Sequence, residues 1–465
     1  MYRRRFAAVA LASAVVVAAA CASDDVTKPA PPAPMHPAPG ASGAGDPYYA
    51  DDGNGGYDAL GYQVDIGYDP PSGHLDGDTT VTAMATQDLS RFDLDLRGLN
   101  VHSVEVDGKP VAFAREKAFE LAITPAEPIR AGTTFRTRVR YGGEPGETPD
   151  SAWRSSADGG AFVVGEPHSA AFWYPVNETP RDKATFALTA HVPGGWTVVS
   201  NGREQGSTTS WAEPNPVASY LTTVAIGKFS IDRGTLPDGT PVLQAYAPGA
   251  EGQRALGSRL PEVIAFLSGK FGPYPQSAAG GIYLADDVGF SLETQTRPTY
   301  TKDVEILTLV HETAHQWFGD SVSLENWSDI CLNECFASYA QWLWAEREGQ
   351  NLDDRYRAAI EITHDSKDFW AQKLVDMGPG QEFRGVYNKG ILALHALRRK
   401  VGDTAFDKIL HTWTATHHHA NGTWAEFETL VTQASGQDLR VFLDDWYRAD
   451  KLPPDGELFP GSLRS

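Results

Sequence analysis

The stretch HETAHQWFGD, His311 to Asp320, decides how this sequence is interpreted, because two histidines stand four positions apart in it. The apolar residues ILTLV directly before it indicate a helix that is buried in a core. On a helix, His311 and His315 lie one turn apart on the same face, so both imidazoles can bind one metal ion. The pentapeptide HETAH also arises by chance, so it supports a metal site only together with the residues that follow it.

A third metal ligand is predicted at Glu334, in WSDICLNECFASY, with eighteen residues between it and His315. Two histidines and a glutamate from a neighbouring helix form a ligand set that leaves zinc one position for water. Zinc lowers the pKa of that water to about 7 and polarises a carbonyl. Glu312 is then the candidate general base, which takes the proton and passes it to a leaving amine. The sequence therefore predicts one zinc ion on His311, His315 and Glu334.

Two of the three cysteines, Cys331 and Cys335, flank the predicted ligand Glu334. They allow three interpretations: metal ligands, a disulfide, or buried side chains that pack around the site. Ligation is disfavoured because the two thiols cannot easily turn toward the metal that Glu334 binds. A disulfide needs Cα atoms within about 7 Å and suitably aimed Cβ vectors, which consecutive turns of a regular helix do not supply. We therefore expect two packing residues without a bond between them.

The composition describes a globular protein with an acidic surface. The 465 residues are 41% hydrophobic and 11% aromatic, which is enough for a sizeable core. Lys and Arg together number 39 and Asp and Glu 60, which gives a formal net charge of −21 at pH 7. This charge opposes binding to nucleic acid or to anionic lipid, so we expect neither as a partner.

The first residues are predicted to direct export. MYRRRFAAVALASAVVVAAAC begins with basic residues, continues with an apolar run that is too short to span a bilayer comfortably, and ends in Cys21 behind three alanines. We interpret residues 1–20 as a signal peptide and Cys21 as a lipidation site, with ordinary signal cleavage as the alternative. Residues 21–47, rich in Pro, Ala and Gly, are predicted to form a tether. The protein is thus expected at the outer face of the bacterial cytoplasmic membrane, attached only through this lipid anchor, or secreted.

Beyond the tether the chain shows two kinds of pattern. Residues 48–231 contain short alternating runs such as YQVDIGYD and TFRTRVRY, broken by Gly, Pro and Asp, which predicts an antiparallel β domain folded as a sandwich or saddle. In residues 232–453 apolar residues recur at three and four positions, which predicts helices. Residues 454–465 lack periodicity and are expected to be an irregular tail. The predicted fold class is α+β and multidomain.

Several motifs together resemble the aminopeptidase N family of zinc peptidases, to which leukotriene hydrolase also belongs. HETAHQWFGD and WSDICLNECFASY are similar to the metal-binding signature of that family, and shorter matches accompany them: NETPRDKATF, VVSNG, FSLET and VYNKG. The similarity covers about residues 47 to 453. It implies a thermolysin-like, mainly helical zinc-peptidase domain after the β domain, and removal of N-terminal residues from peptides with a free N-terminus.

The resemblance also implies roles for three residues outside the metal set. Tyr387, in VYNKG, matches the family tyrosine whose hydroxyl hydrogen-bonds the oxyanion of the reaction. Glu293, in FSLET, matches the glutamate that binds the free α-amine of the substrate. Glu166, in VVGEP, falls near a second acidic position of this kind. An α-amine with a pKa of about 8 is mostly cationic at neutral pH, so fixed carboxylates beside zinc select a chain terminus.

The sequence departs from the family pattern at several places, some of them near the predicted site. Phe290, Leu292 and Thr294 replace the Gly, Met and Asn of the amine-binding motif, which affects the first specificity pocket. Cys331 and Cys335 stand where the family has Trp and Gly, so the second metal-binding helix is expected to pack differently.

The predicted function is that of a zinc-dependent aminopeptidase that acts outside the cytoplasm. Two alternatives stay open. The same zinc site can serve an endopeptidase or an epoxide hydrolase, and a non-catalytic surface lipoprotein can keep the peptidase fold for binding. Release of free amino acids from unblocked peptides, but not from N-acetylated ones, is the pattern expected of an aminopeptidase.

Overall fold

The computed structural model describes residues 34–146 and 150–464 of the chain. The residues from Pro37 onward belong to one compact unit. The predicted signal peptide, the predicted lipidation site Cys21 and the first part of the predicted tether lie outside the described residues. Within the described part, no helix combines the length and the apolar character that crossing a membrane requires.

The N-terminal half of the described chain consists of strands, because apolar side chains alternate along it with polar ones. In the strand Tyr57–Asp69, for example, Val64, Ile66 and Tyr68 are buried and the residues between them are more exposed. The strands of this half are β1 (Ala38–Pro39), β2 (Tyr57–Asp69), β3 (His74–Ala85), β4 (Leu89–Asp95), β5 (Asn100–Val106), β6 (Lys109–Pro110), β7 (Ala112–Glu116), β8 (Glu120–Thr124), β9 (Thr134–Gly143), β10 (Trp153–Ser155), β11 (Ala161–Val163), β12 (Ala184–His191), β13 (Thr197–Ser200), β14 (Arg203–Glu204), β15 (Ser210–Val217) and β16 (Val224–Gly227).

These strands form three sheets in the described chain. The largest has eight strands in the order β14-β15-β12-β2-β3-β9-β5-β6. Its centre is the long antiparallel hairpin of β2 and β3, and β12 pairs with β2 in parallel. Two four-stranded sheets, β1-β4-β8-β7 and β10-β11-β16-β13, complete this half.

The C-terminal half combines one four-stranded sheet with helices. Its strands are β17 (Ser230–Thr235), β18 (Pro241–Tyr246), β19 (Ala279–Tyr283), β20 (Thr299–Tyr300), β21 (Val322–Leu324) and β22 (Ala420–Gly422). Its helices are α1 (Arg254–Gly257), α2 (Leu260–Phe271), α3 (Ile306–Ala314), α4 (Cys331–Arg347), α5 (Leu352–Thr363), α6 (Lys367–Trp370), α7 (Lys389–Val401), α8 (Asp403–Thr416), α9 (Trp424–Ser435), α10 (Arg440–Leu443) and α11 (Asp455–Leu458).

The sheet of this half follows the order β17-β18-β19-β20, in which β18, β19 and β20 run parallel. Helices α1 and α2 lie in the connection from β18 to β19, since parallel neighbours need a long crossover. A β-rich N-terminal domain followed by a mainly helical domain confirms the predicted α+β fold class.

Helix α4 forms the centre of the helical half. Fourteen of its seventeen residues are buried, so it is enclosed around most of its circumference. Phe336 of α4 stacks on Phe318, which follows α3, with ring centroids 4.6 Å apart. Gly390 of α7 lies against Cys335 of α4, so close that a Cβ atom at residue 390 would be 2.4 Å from the sulfur. These contacts place α3, α4 and α7 side by side.

Ordered structure begins earlier than the predicted start of the β domain at residue 48. Within the predicted tether, Ala38 and Pro39 form β1, which pairs in parallel with β4. Asp46 is buried, and its carboxylate accepts a hydrogen bond of 2.8 Å from the backbone N–H of Trp327. Prolines and alanines in an edge strand carry no alternating pattern, which is why composition alone indicated a tether.

Two further boundaries differ from the predicted ones. β17 crosses the predicted division at residue 231, because it pairs with β18 of the second half. The predicted irregular tail contains α11 and a 3-10 turn, Gly461–Arg464, and its Leu458 and Leu463 are buried. Elements of four residues are too short to show a helical period in the sequence.

Candidate metal centre

Helix α3 carries the first two predicted ligands. His311 lies within its last turn and His315 directly follows its end, where the backbone N–H of His315 still bonds to the carbonyl of His311 at 3.3 Å. His315 is 1% exposed, and its Nδ1 lies 2.9 Å from the carbonyl oxygen of Phe318. Because a carbonyl can only accept, Nδ1 carries the proton, and Nε2 keeps a free lone pair for a metal.

Glu334 lies in the first turn of α4 and points at the two histidines. Its Oε2 is 3.2 Å from Nε2 of His311 and 3.5 Å from Nε2 of His315, and the two Nε2 atoms are 3.1 Å apart. Burial alone would raise the pKa of Glu334, but the neighbouring histidines lower it to about 2, so the carboxylate stays charged. One anionic oxygen and two imidazole nitrogens that converge in a buried space fit a divalent cation of the zinc type.

Glu312 lies beside this ligand set but does not belong to it. It is 5% exposed, and burial raises the pKa of its carboxyl group well above the usual range. A carboxylate with raised proton affinity is suited to accept a proton from water and to release it later. Glu312 also lines two cavities that meet at the metal centre, so it faces the space that a substrate would occupy.

Tyr387 reaches the same place from the segment before α7. Its ring centroid is 6.1 Å from that of His311, and it lines both cavities. Burial and the surrounding carboxylates raise its pKa, although 37% of the residue is exposed. The hydroxyl therefore keeps its proton and is available as a hydrogen-bond donor.

The smaller of the two cavities, about 350 Å³, gathers the other predicted carboxylates. Carboxylate oxygens of Glu166, Glu293 and Glu334 all lie within 4.8 Å of one another. Burial raises the pKa of Glu166 and of Glu293, and the negative charge of the neighbouring Glu334 raises both further. Oε1 of Glu166 is buried without a hydrogen-bond partner among the described residues. Glu166 and Glu293 thus form an acidic end of the cavity beside the metal ligands, which is suited to a cationic group such as an ammonium.

The structure brings together all seven predicted site residues that it describes, and Cys21 lies outside the described chain. The lining of the smaller cavity comprises Glu166, Phe290, Ser291, Glu293, His311, Glu312, His315, Glu334, Phe383 and Tyr387. Phe290, which replaces the family glycine, is 39% exposed in that lining. An aromatic ring therefore forms part of the wall of this cavity.

Sequence reasoning missed the residues that hold Glu293. The hydroxyl of Tyr220 donates to Oε1 of Glu293 at 3.2 Å, and the side-chain amide of Asn333 lies 3.4 Å from that hydroxyl. Gln316 donates from Nε2 to the backbone carbonyl of Glu293 at 3.1 Å. Gln316 directly follows the predicted ligand His315, so its place in the motif could have marked it as a residue near the site. Tyr220 is far from the motif in sequence, and only the folded chain brings it to the site.

The prediction for Cys331 and Cys335 is wrong, because the two residues form a disulfide. Their Cα atoms are 4.7 Å apart, within the range that a disulfide bridges. The prediction assumed the geometry of consecutive turns inside a regular helix. Cys331 is the first residue of α4, where the N–H groups lack partners in the helix and the backbone is less constrained. Among the described residues, the groups of converging metal-ligand atoms consist of histidines and glutamates.

Two family models match the two halves of the chain. The peptidase M1 N-terminal domain matches residues 58–221, and the peptidase family M1 domain matches residues 281–446. The first match covers most of the β-rich half, and the second contains the metal centre.

Solved structures share the fold of most of this chain. A mutant of an M1 zinc metallopeptidase from Deinococcus radiodurans, bound to a Tyr-Ser-Ala substrate, is 29% identical with a TM-score of 0.80, covering 89% of this chain and 99% of that chain. The mutant in a further structure is 30% identical with a TM-score of 0.78 and the same coverage. Aminopeptidase N of Lactococcus lactis subsp. lactis is 24% identical over 433 residues, which are 81% of this chain and 49% of that protein. The chain spans about half the length of such curated relatives, or less.

Proposed function

Because the chain belongs to the peptidase M1 family, we propose that it is a zinc-dependent aminopeptidase, which hydrolyses N-terminal residues from peptides. The observation that carries this proposal is the arrangement of the centre: a His₂Glu ligand set and a buried glutamate adjoin a cavity with two further carboxylates. Relatives named aminopeptidase N, and a related peptidase with a bound tripeptide, support the same assignment.

His311, His315 and Glu334 are the residues that would hold one zinc ion. When bound, zinc supplies Lewis-acid chemistry, since it polarises the carbonyl of the scissile bond and lowers the pKa of a water molecule to about 7. The contact from His315 to the carbonyl of Phe318 fixes the ring and its tautomer, so the lone pair of Nε2 is already oriented.

Glu312 carries the proton transfers. It removes a proton from the attacking water while the water oxygen bonds to the carbonyl carbon, and it gives that proton to the leaving nitrogen as the C–N bond breaks. Burial raises its pKa, which lets it hold the proton between the two transfers. The protonated hydroxyl of Tyr387 donates to the oxyanion that develops on the carbonyl oxygen.

Glu293 and Glu166 bind the free α-amine of the substrate. Carboxylate oxygens of Glu166 and Glu293 lie within 4.8 Å of each other, and a cationic ammonium group would offset the repulsion between them. A peptide whose amine is acetylated is neutral at this point and offers no such compensation. The cavity therefore selects peptides with an unblocked N-terminus.

For the location we propose export, with Cys21 as a lipid anchor at the outer face of the cytoplasmic membrane, or secretion after ordinary signal cleavage. The basic start, the short apolar run and the alanines before Cys21 support this proposal. Expression of the full chain and of Cys21→Ala, followed by membrane fractionation, tests it. Lipidation predicts that the alanine variant leaves the membrane fraction, and equal membrane retention of both would contradict it.

The decisive experiment compares unblocked and N-acetylated peptides as substrates of the zinc-loaded protein. We expect free amino acids from the unblocked peptides alone, and loss of this activity in Glu312→Gln. Glu361→Gln, an exposed change on α5, is the matched control and should leave activity unchanged. Equal cleavage of acetylated peptides would favour an endopeptidase. Stoichiometric zinc without turnover of any peptide would favour a binding lipoprotein or, if epoxides are turned over, an epoxide hydrolase.

A further inference from the structure

The larger of the two cavities, about 720 Å³, begins where the smaller one ends. Both are lined by His311, Glu312 and Tyr387, so they meet at the residues that act on the scissile bond. The amine-binding carboxylates Glu166 and Glu293 line only the smaller cavity. If the N-terminal residue lies there, the part of the peptide beyond the scissile bond extends into the larger cavity.

The larger cavity has an apolar wall, which suits a peptide side chain. This wall is formed by Trp342, Ala359, Ile362, Phe369, Ile391 and Leu392. Ile362, on the last turn of α5, is 82% exposed, which is unusual for a large aliphatic side chain. An apolar side chain of the leaving peptide would cover it.

Arg355 is the cation of this cavity. Its guanidinium lies 4.8 Å from the ring centroid of Trp342 and donates one hydrogen bond of 3.3 Å to the side chain of Gln350. No carboxylate among the described residues forms an ion pair with it. Neighbouring arginines differ in this respect, since Arg357 pairs with Asp354 at 3.4 Å. Burial lowers the pKa of Arg355, but an arginine remains cationic at neutral pH.

A partly buried guanidinium without a counter-charge, at the leaving-group side of a peptide site, fits a carboxylate. The planar guanidinium can donate two parallel hydrogen bonds to the two oxygens of such a group. The Trp342 ring and the bond from Nη1 to Gln350 hold the guanidinium, and Nε and Nη2 have no hydrogen-bond partner among the described residues. Apart from acidic side chains, which occur only in some sequences, a peptide carries one carboxylate, at its C-terminus, and that group can reach Arg355 only if the peptide is short.

We propose that Arg355 binds the C-terminal carboxylate of short peptides, which makes short oligopeptides with a free C-terminus the preferred substrates of this site. The inference rests on the proposed aminopeptidase function. In this proposal Arg355 determines the preferred length of the substrate. It takes no part in breaking the peptide bond.

The test compares peptides from two to six residues with the same N-terminal sequence, each as the free acid and as the C-terminal amide. For the wild-type protein we expect kcat/KM to favour the acid by at least about tenfold at one short length, and the preference to vanish in longer peptides. Arg355→Gln should abolish the preference, mainly through KM. Arg355→Lys should retain part of it, because an ammonium group offers charge without the paired N–H groups.

Arg357→Gln, on the same helix two residues further, is the matched control, since Arg357 does not line the cavity. Aminoacyl anilides, which have no carboxylate, should be hydrolysed equally by all four proteins, and thermal unfolding checks their folding. Equal kcat/KM for acid and amide at every length overturns the proposal, as does a preference that survives Arg355→Gln. Failure of the proposed function looks different, because the wild-type protein would then leave the anilides intact as well.

Discussion

The two helices that supply the metal ligands are held in place in different ways. In α3, the contact that orients His315 comes from Phe318, only three residues away, and Thr313 bonds to the carbonyl of Leu309 in the same helix. In α4, the ligand Glu334 lies between the two cysteines of a disulfide, and Gly390 of α7 packs against that disulfide. One ligand pair is thus positioned by local contacts, and the third ligand by contacts with a distant part of the chain.

Because of this difference, substitutions near the two groups of ligands should have different main effects, on the reaction in one case and on stability in the other. Changes at His311, Glu312 or His315 should remove the metal or the proton transfer and alter the stability of the fold less. Apart from the ligand Glu334 itself, changes around the first turn of α4 should act first on the free energy of unfolding, because they disturb packing between α4 and α7.

The largest expected effect is the loss of a ligand, and it should be equal for both helices. His315→Ala and Glu334→Ala should each weaken zinc binding by at least about 100-fold and reduce peptide hydrolysis to background, since even partners of metal ligands are worth 10-fold to 100-fold. Competition with a chelator measures the affinity. If either variant kept stoichiometric zinc at wild-type affinity, that residue would not be a ligand.

The next effect concerns Tyr387, which precedes α7 and leaves the ligand set intact. Tyr387→Phe should lower kcat about 10²-fold to 10³-fold, the usual cost of one donor to an oxyanion, without loss of zinc. Steady-state kinetics and metal analysis of the same preparation measure both. A variant with normal kcat would show that the hydroxyl takes no part in the reaction.

Gly390→Ala tests the contact between α7 and α4 directly. The new Cβ would lie 2.4 Å from the sulfur of Cys335 and 3.0 Å from its Cβ, so one of the helices must shift. We expect the free energy of unfolding to fall by about 1–3 kcal/mol, as overpacking in a core does. Urea titration measures it.

Gly269→Ala in α2 is the control for this change, since nothing lies within 4 Å of an added Cβ there. Alanine has the higher helix propensity, so this control should be about 0.5–1 kcal/mol more stable than the wild type. Equal effects of the two substitutions would show that α7 and α4 adjust to each other without cost.

Removal of the disulfide should have a comparable effect of the same kind. It closes a loop with a sequence separation of 4, for which chain entropy predicts a contribution of about 2 kcal/mol. Cys331→Ala with Cys335→Ala should therefore be less stable by about this amount, while zinc content and activity per folded molecule remain. Loss of stoichiometric zinc in this double variant would mean that the disulfide also positions Glu334.

The local part of this site could be predicted from the sequence, and the tertiary part could not. Two histidines at i and i+4 share a helix face whatever the rest of the chain does, so His311 and His315 needed no structure. The alternation of β2 and the helical period after residue 250 likewise depend on neighbours along the chain.

Three features depend on distances between remote residues and escaped the sequence. The disulfide requires Cα atoms 4.7 Å apart at the start of α4, which spacing alone does not establish. The hydrogen bond from Tyr220 to Glu293 joins residues separated by 73 positions. Arg355 was one of many arginines until the fold placed it in the wall of a cavity.

The smallest expected effect concerns Lys389, the first residue of α7. Its contribution to the free energy of unfolding should depend on pH. Its Nζ is buried and donates to the backbone carbonyls of Trp370, Gln372 and Ala449, so this end of α7 is also held by remote segments. Burial lowers the pKa of Lys389 to about 8, against about 10.4 in an unfolded chain.

Below pH 8 Lys389 is charged in both states and adds no slope to the free energy of unfolding. Between pH 8 and about 10.4 the folded state binds fewer protons than the unfolded state, so this residue makes the free energy of unfolding rise with pH. The free energy of unfolding of the wild type minus that of Lys389→Met should therefore increase by about 1 kcal/mol from pH 7 to pH 9. Urea titrations at both pH values measure it, and the exposed change Lys408→Met should give a constant difference. A constant difference for Lys389→Met would show that the ammonium group is not depressed, and that this end of α7 is more open to water than its burial indicates.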